Sequence, residues 1–297
     1  MPEFGIAWRD RAEILTFEEI TRLVRLFASM GVNKVRLTGG EPTLRKGLTE
    51  LIGTISKVPG ISKLYMTTNG TTLRRSAQDY RDAGLTGLNI SIDTLRQDRF
   101  KEIARRDSFE QVVEGIDAAL AAGYDTIKIN VVAMAGVNED EVVDFVKFAY
   151  DKPVDLRFIE FMPFDDNGWT KAQVLPYIKI RGMIEENYEL TAINGEPQDV
   201  AREFAVSGAK CTVGFISSMT DSFCSGCNRL RLTADGKFKS CLFLKAGDSL
   251  RDQMRNGADD DALEATIRTG LIGKWKEHPP MDELIRLKNA SMVEIGG

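Results

Sequence analysis

The sequence predicts an α/β protein in which a parallel sheet, curved as a partial (βα) barrel over residues 1–163, is followed by a smaller α+β region over residues 164–297. Three observations carry this. Five short apolar runs are separated by segments long enough for crossover helices. Each run ends in a small polar group of the kind that lines the mouth of such folds. Beyond Phe164 the pattern changes to short strands, turn residues and three of the four cysteines.

The first helix is expected from Phe17 to Met30, because Thr16 and Glu19 form the T-x-x-E pattern that satisfies free amides at a helix start. Strands come next at Lys34 to Leu37, Lys63 to Thr67, Gly87 to Ile92, Thr126 to Val132 and Asp155 to Phe161. Only sixteen residues precede the first helix, and Met1 to Asp10 holds Pro2 and Gly5 without strand-like alternation. The helix therefore lacks the strand that should feed it, and the strand at Lys34 is left as an open edge. The expectation is that a segment upstream is missing.

The strand ends read Thr38-Gly39-Gly40-Glu41-Pro42, Thr67-Thr68-Asn69-Gly70, Ser91-Ile92-Asp93, Asn130 and Glu160-Phe161-Met162. Any one of them is ordinary turn chemistry, but together they define a single mouth. After the loop Asp165, Asp166, Asn167, Gly168, a helix is expected from Gln173 to Asn187, then a link at Asn194-Gly195. Val200 to Phe243 reads as short antiparallel strands. Asp235-Gly236 serves there as a two-residue hairpin turn that sets Cys241 opposite Leu230.

Composition excludes several classes of function. Lysine and arginine number 39 against 44 acids, a net charge of -5, which argues against a general nucleic-acid or membrane-surface binder but permits a local basic pocket. No apolar run approaches the about 20 residues of a membrane span. His278 is the single histidine, so chemistry built on two or three histidines is ruled out. Four cysteines are too few for a disulfide scaffold, yet Cys224, Cys227 and Cys241 cluster as C-x2-C-x13-C, which in a reducing compartment suggests metal.

Two metal readings compete. A zinc staple needs a fourth ligand, for which Cys211 or His278 is the candidate, and spacing alone favours it. An iron-sulfur cluster on three cysteines leaves one iron open to substrate. Arg229 and Arg231, two apart on a strand, point to one face beside the cysteines, and the same spacing recurs at Lys34 and Arg36 and at Lys128 and Asn130. Inward-pointing cations require anionic partners. A polyanionic substrate accounts for all of them, and ion pairs with Glu41, Asp93 or Glu160 account for some.

Lys34 to Pro42 (KVRLTGGEP), Thr67 to Gly70 (TTNG), Asn89 to Asp93 (NISID), Arg157 to Met162 (RFIEFM) and Phe223 to Phe243 (FCSGCNRLRLTADGKFKSCLF) together resemble the radical SAM GTP 3′,8-cyclase family, which opens molybdenum cofactor biosynthesis. The resemblance runs nearly the whole chain, including Gly296-Gly297. It implies a partial barrel of the radical SAM type that acts as a lyase, binding S-adenosylmethionine at the strand ends through Gly40, Ser91 and Met162. GTP would be bound through Arg36, Thr67, Lys128, Arg157, Arg229 and Arg231, and Cys224, Cys227 and Cys241 would ligate a C-terminal 4Fe-4S cluster. The implied reaction takes a hydrogen from the ribose 3′ carbon with a 5′-deoxyadenosyl radical and joins that carbon to C8 of guanine, with no histidine base.

The resemblance further implies a reductant protein, a downstream cyclic pyranopterin monophosphate synthase, and a cytoplasmic site, or the mitochondrial matrix in a eukaryote. It is compatible with a homodimer, and implies neither nucleic-acid nor membrane binding. One departure is large. The family carries C-x3-C-x2-C for a second, N-terminal 4Fe-4S cluster, and this sequence has no such motif. Met1-Pro2-Glu3 resembles the family's segment immediately after the last of those cysteines, so an N-terminally truncated chain is expected. Smaller departures fall at Thr43 to Gly47 and at Pro279-Pro280. Two other readings stay open: a catalytically dead, zinc-stapled nucleotide- or partner-binding protein, and another radical SAM enzyme with an auxiliary cluster.

Overall fold

The computed structural model describes residues 10–165, 167–196, 198–221, 224–287 and 291–292. Met1 to Glu3, Gly5, Asp166, Phe223 and Gly296-Gly297 lie outside the described residues.

Helix α1 (Phe17–Ser29) begins as the sequence indicates: Glu19 N donates to Thr16 Oγ1 at 3.2 Å and Thr16 N to Glu19 Oε2 at 2.8 Å. Strands β1 (Lys34–Leu37), β2 (Lys63–Thr68), β3 (Gly87–Ser91), β4 (Thr126–Ala133) and β5 (Asp155–Glu160) pair in parallel and in chain order. Every boundary falls within a residue of the sequence expectation. Between them run α2 (Leu48–Ile55), α3 (Leu73–Asp82), α4 (Gln97–Ala104), α5 (Phe109–Ala121) and α6 (Val142–Ala149). The next helix, α7 (Tyr177–Glu185), starts later than expected because Pro176 occupies its N-cap.

The sheet does not stop at Phe164. Strands β6 (Leu190–Ala192), β7 (Arg202–Val206) and β8 (Thr212–Ile216) extend it to eight, in the order β1-β2-β3-β4-β5-β8-β7-β6. β8 joins β5 in parallel, and β7 runs antiparallel between β8 and β6. Among the described residues β1 pairs with β2 alone and stands at the edge of the sheet.

Period-two alternation divides the faces. Leu64, Met66, Leu88, Ile90, Ile129, Leu156, Phe158, Val213 and Phe215 are buried against the helices in one core. The intervening residues face away from the helices, into the concave side. The C-terminal region leaves β8 and returns to the amino end of the chain. There β10 (Phe238–Lys239), α8 (Leu250–Arg255) and α9 (Asp260–Ile272) pack on α1 through Phe238, Leu250, Leu263, Ile267, Leu23 and Leu26. Arg22 to Asp260 at 2.8 Å and Arg255 to Glu19 at 2.7 Å reinforce that contact.

Strand β9 (Arg231–Leu232) pairs with β10, but one residue out from the expected register: Phe238 faces Leu232 and Lys239 faces Arg231. The turn holds three residues rather than two. The Thr233 hydroxyl bonds Asp235 and takes the Lys237 amide at 2.9 Å, and Gly236 supplies the left-handed φ of +80° that closes the loop. Along this register Cys241 stands level with Arg229, not Leu230.

Candidate functional site

Two ladders of inward-facing residues cross the concave side. In the first, Thr67, Asn89, Lys128 and Asp155 stand side by side on β2, β3, β4 and β5. In the second, Ser91, Asn130, Arg157, Gly214 and Glu203 continue from β3 across β4, β5 and β8 to β7. Lys34 and Arg36 occupy the same face of β1 by alternation.

The cations converge. Arg36 is open to solvent yet sits deep in the concavity. Desolvation by the surrounding walls, followed by the charges of Arg157 and Arg229, pushes its guanidinium down to about 10. Burial, Arg229 and Arg36 push Arg231 down to about 10 as well. Lys128 is lowered by burial and by Arg157, and Lys34 by burial, Lys63, Arg36 and Lys128. Side chains from β1, β4, β5 and β9 thus meet in one positive field. Among the described residues, three buried polar atoms beside it, Thr67 Oγ1, Asn130 Oδ1 and Arg157 Nε, have no hydrogen-bond partner, which leaves them free to meet a bound molecule or water.

The carboxylates that pair with these cations are not the expected ones. Lys128 Nζ meets Asp155 Oδ2 at 2.9 Å, with Thr212 Oγ1 donating to Asp155 Oδ1 at 3.0 Å, and Arg157 pairs with Glu203. Glu41 instead accepts from Thr43 N, Thr43 Oγ1, Thr68 Oγ1 and Asn69 N. Asp93 accepts from Val132 N at 2.9 Å, and burial pushes its carboxyl up. Glu160, 1% exposed, takes Tyr177 N, Met219 N and Thr220 N at 2.8–2.9 Å and also the Thr220 hydroxyl. All three tie loops together at strand ends. Glu41 and Glu160, each accepting four hydrogen bonds, have little left to offer a cation.

Gly40 and Ser91 are exposed at the ends of β1 and β3. Met162, half-buried beyond β5, packs against Phe164, Met219, Phe243 and Leu284. All three thus follow the carboxyl ends of parallel strands, at one end of the sheet whose concave face carries Arg36, Thr67, Lys128 and Arg157.

The cysteines border the same field. Cys224 and Cys227 share a tight turn, with Cys227 N donating to Cys224 O at 3.0 Å, and both Cys241 and Cys227 act on Arg231. Burial alone would raise the Cys227 thiol, but the charge and hydrogen bonds of Arg229, with help from Lys274, bring it below the usual thiol value. Lys274 Nζ lies 3.7 Å from Cys227 Sγ and donates to Cys227 O at 2.7 Å and Arg229 O at 3.1 Å. Among the described residues no three His, Cys, Asp or Glu side chains close on a common metal position. Cys224, Cys227 and Cys241 thus share a neighbourhood without a shared centre. As a donor set they still fit a cluster: soft thiols, one of them disposed to ionise, in cationic surroundings.

Neither proposed fourth zinc ligand joins them. Cys211, 2% exposed, packs in the sheet core just before β8, and burial raises its thiol. The His278 nitrogens lie 2.8 Å from Pro279 O and 3.1 Å from Ser218 O, and its ring packs edge-on against Phe243. Sequence reading also missed Asp155, Glu203, Gly214 and Lys274. Asp155 carried a signal, standing two residues before Arg157 on one strand. The others depend on non-local pairing.

An open parallel barrel with polar strand ends is the architecture of radical SAM proteins, and the family model of the Radical SAM superfamily matches residues 3–149. That of Molybdenum Cofactor Synthesis C matches residues 154–280. Streptococcus suis SuiB bound to S-adenosylmethionine shares the fold, with a TM-score of 0.59 and 12% identity over 89% of this chain and 62% of that one. The mitochondrial GTP 3′,8-cyclase of Arabidopsis thaliana is 43% identical, covering 100% of this chain and 76% of that protein. The GTP 3′,8-cyclase of Alkaliphilus metalliredigens (strain QYMF) is 42% identical over 100% of this chain and 92% of that protein. Molybdenum cofactor biosynthesis protein 1 of Homo sapiens is 40% identical over 99% of this chain, which spans 46% of that protein. The chain belongs to the GTP 3′,8-cyclase family of molybdenum cofactor biosynthesis proteins.

Proposed function

We propose that this chain serves the 3′,8-cyclisation of GTP, with the nucleotide held on the concave face and S-adenosylmethionine at the strand ends. One observation carries the reading: Arg36, Lys128, Arg157, Arg229 and Arg231 meet in a single field beside Cys227 and Cys241. A triphosphate complements the positive charge that these groups bring together.

When bound, S-adenosylmethionine with a reduced 4Fe-4S cluster supplies the radical chemistry that removes a ribose hydrogen. The residues of this chain bind and orient. Gly40, Ser91 and Met162 line the S-adenosylmethionine side of the mouth. Arg36, Lys128, Arg157, Arg229 and Arg231 fix the triphosphate, Thr67 offers its unpartnered hydroxyl, and Cys224, Cys227 and Cys241 would hold a 4Fe-4S cluster next to the base. Holding both ends of GTP restricts the ribose to one attitude, which is the main task of the protein in such a reaction. Residues 1–163 then carry the S-adenosylmethionine side, and residues 164–297 the cysteine side.

The ligands of the cluster that cleaves S-adenosylmethionine, a C-x3-C-x2-C motif, are not among these 297 residues. A protein reductant and a synthase that takes up the cyclised nucleotide are the partners this chemistry requires. The relative named as mitochondrial supports an organellar site in eukaryotes, with the cytoplasm its counterpart elsewhere.

The test is anaerobic purification and iron-sulfide reconstitution of the full chain, then metal analysis and equilibrium dialysis with GTP. About four irons with matching sulfide, lost in the Cys224→Ala variant, together with GTP binding, support the reading. Zinc retained in place of iron, with no GTP binding, overturns it in favour of a zinc-stapled binding protein.

A further inference from the structure

Arg157 is held by a carboxylate two strands away. On the second ladder Arg157 of β5 faces Gly214 of β8, and Gly214 faces Glu203 of β7. The Arg157 and Glu203 side chains reach over the glycine and pair above it. A Cβ at Gly214 would stand 3.4 Å from Arg157 Cγ, 3.6 Å from Glu203 Cγ and 3.2 Å from Ala201 Cβ. Both side chains thus lie over a position of β8 that carries no side chain of its own. The pair is shielded, with side-chain exposures of 13% for Arg157 and 31% for Glu203. One terminal nitrogen of the guanidinium is engaged by Glu203, while Nε–H, also buried, has no acceptor.

We infer that Glu203 is a positioning residue for nucleotide binding: across Gly214 it fixes the Arg157 guanidinium in the attitude that receives the anionic end of the ligand. The inference rests on the GTP reading and adds the residue that orders its basic face.

Electrostatics alone predicts the opposite. Glu203 lies close enough to Lys128 to act on it, so its charge opposes any anion bound there. Were Glu203 only a counter-charge, removing it would tighten triphosphate binding. As a positioning residue its loss weakens binding, because Arg157 regains the rotamer freedom that binding must then remove. The sign of the change separates the two roles.

The experiment uses the full chain after anaerobic reconstitution, with GTP and inorganic triphosphate as probes in equilibrium dialysis. Glu203→Ala is expected to weaken GTP binding about tenfold, the scale on which outer partners of binding groups act. Glu203→Gln loses the same charge but keeps an oxygen that accepts from Arg157, and should recover most of that loss. In an Arg157→Met background Glu203→Ala should no longer weaken binding. Glu203→Asp, which keeps the charge but shortens its reach to Arg157, should weaken binding in the same direction. It serves as the probe if Glu203→Ala does not fold by circular dichroism. Binding as tight or tighter in Glu203→Ala, equal effects of the Ala and Gln variants, or an undiminished effect in the Arg157→Met background overturns the positioning role while leaving GTP binding intact. A wild-type chain that binds neither probe removes the functional reading itself, and the inference with it.

Discussion

The Glu41 carboxylate accepts a hydrogen bond from the Thr68 hydroxyl at 2.8 Å, so the loop after β1 and the loop after β2 hang from one anchor. Its second oxygen takes Asn69 N at 2.8 Å, while the first also takes Thr43 Oγ1 at 2.7 Å. The loop that presents Gly40 and the strand end that presents Thr67 are therefore set relative to each other by a residue that need touch no ligand. Glu41→Ala should cost about 2–3 kcal/mol in chemical denaturation, since it strands two hydroxyls and two amides at once. Hydrogen exchange should quicken at the Thr43 and Asn69 amides. Unchanged exchange at both would assign the anchoring to something else.

Helix α5 seats the Thr67-to-Gly70 loop by close backbone approach. Gly70 adopts a left-handed φ of +79°, and a Cβ on Gly115 would stand 2.3 Å from the Gly70 carbonyl oxygen and 3.3 Å from Leu73 Cβ. Backbone cannot yield as a flexible side chain can. Gly115→Ala should destabilise by more than about 2 kcal/mol and weaken GTP binding by shifting Thr67. The control is Gly182→Ala on α7, where a Cβ meets nothing within 4 Å. It should be neutral, or stabilising by up to about 1 kcal/mol through helix propensity. Equal effects of the two substitutions would sink the steric argument.

The strands of the first half were legible because one face of each is apolar and the other polar, a pattern that survives whatever the neighbours are. The same alternation brought Arg36, Lys128 and Arg157 to one face. Their carboxylate partners were not legible. Glu203 meets Arg157 only because β8 inserts between β5 and β7, and Gly214 marks a crossing only once that order is known. The hairpin register failed for a local reason: Asp235-Gly236 suits a two-residue turn, but the Thr233 hydroxyl bonding Asp235 closes a three-residue one. Cys227 and Cys241 were placed in one neighbourhood by spacing, whereas the exclusion of Cys211 comes from its burial at the far end of β8.

The contact between α1 and α8 gives a pH dependence of known sign. Hydrogen bonding from Arg255 is the main cause holding the Glu19 carboxyl below the usual range. Its folded pKa therefore lies below its unfolded one, so its stabilisation is present above the ordinary glutamate value and fades as pH falls through the folded value. The pair is partly exposed, which limits the effect to about 1 kcal/mol or less. Glu19→Gln should be less stable than wild type at neutral pH by that amount, with the gap closing in urea denaturation as pH falls below the ordinary glutamate range. A gap that widens in acid would contradict the assignment.

Arg36 should work against the fold and for the ligand. Burial together with Arg157 and Arg229 lowers its pKa to about 10, so in the ligand-free protein the charged form is disfavoured relative to the unfolded chain. The folded state gives up that proton first, and the unfavourable contribution is relieved as pH rises through the folded value toward the unfolded one. At neutral pH the penalty stands, reduced by the solvent that reaches this exposed side chain. Arg36→Met should accordingly raise the melting temperature of the ligand-free chain while weakening GTP binding by about tenfold or more, the loss of a charge-assisted contact. Wild type at about 100 times its dissociation constant should gain about 2.7 kcal/mol from GTP, and the variant at the same concentration much less. Thermal melts of both proteins with and without nucleotide read all four states. A ligand-free variant that melts below wild type would mean that Arg36 serves the fold, and that the positive field is satisfied from within rather than by a bound anion.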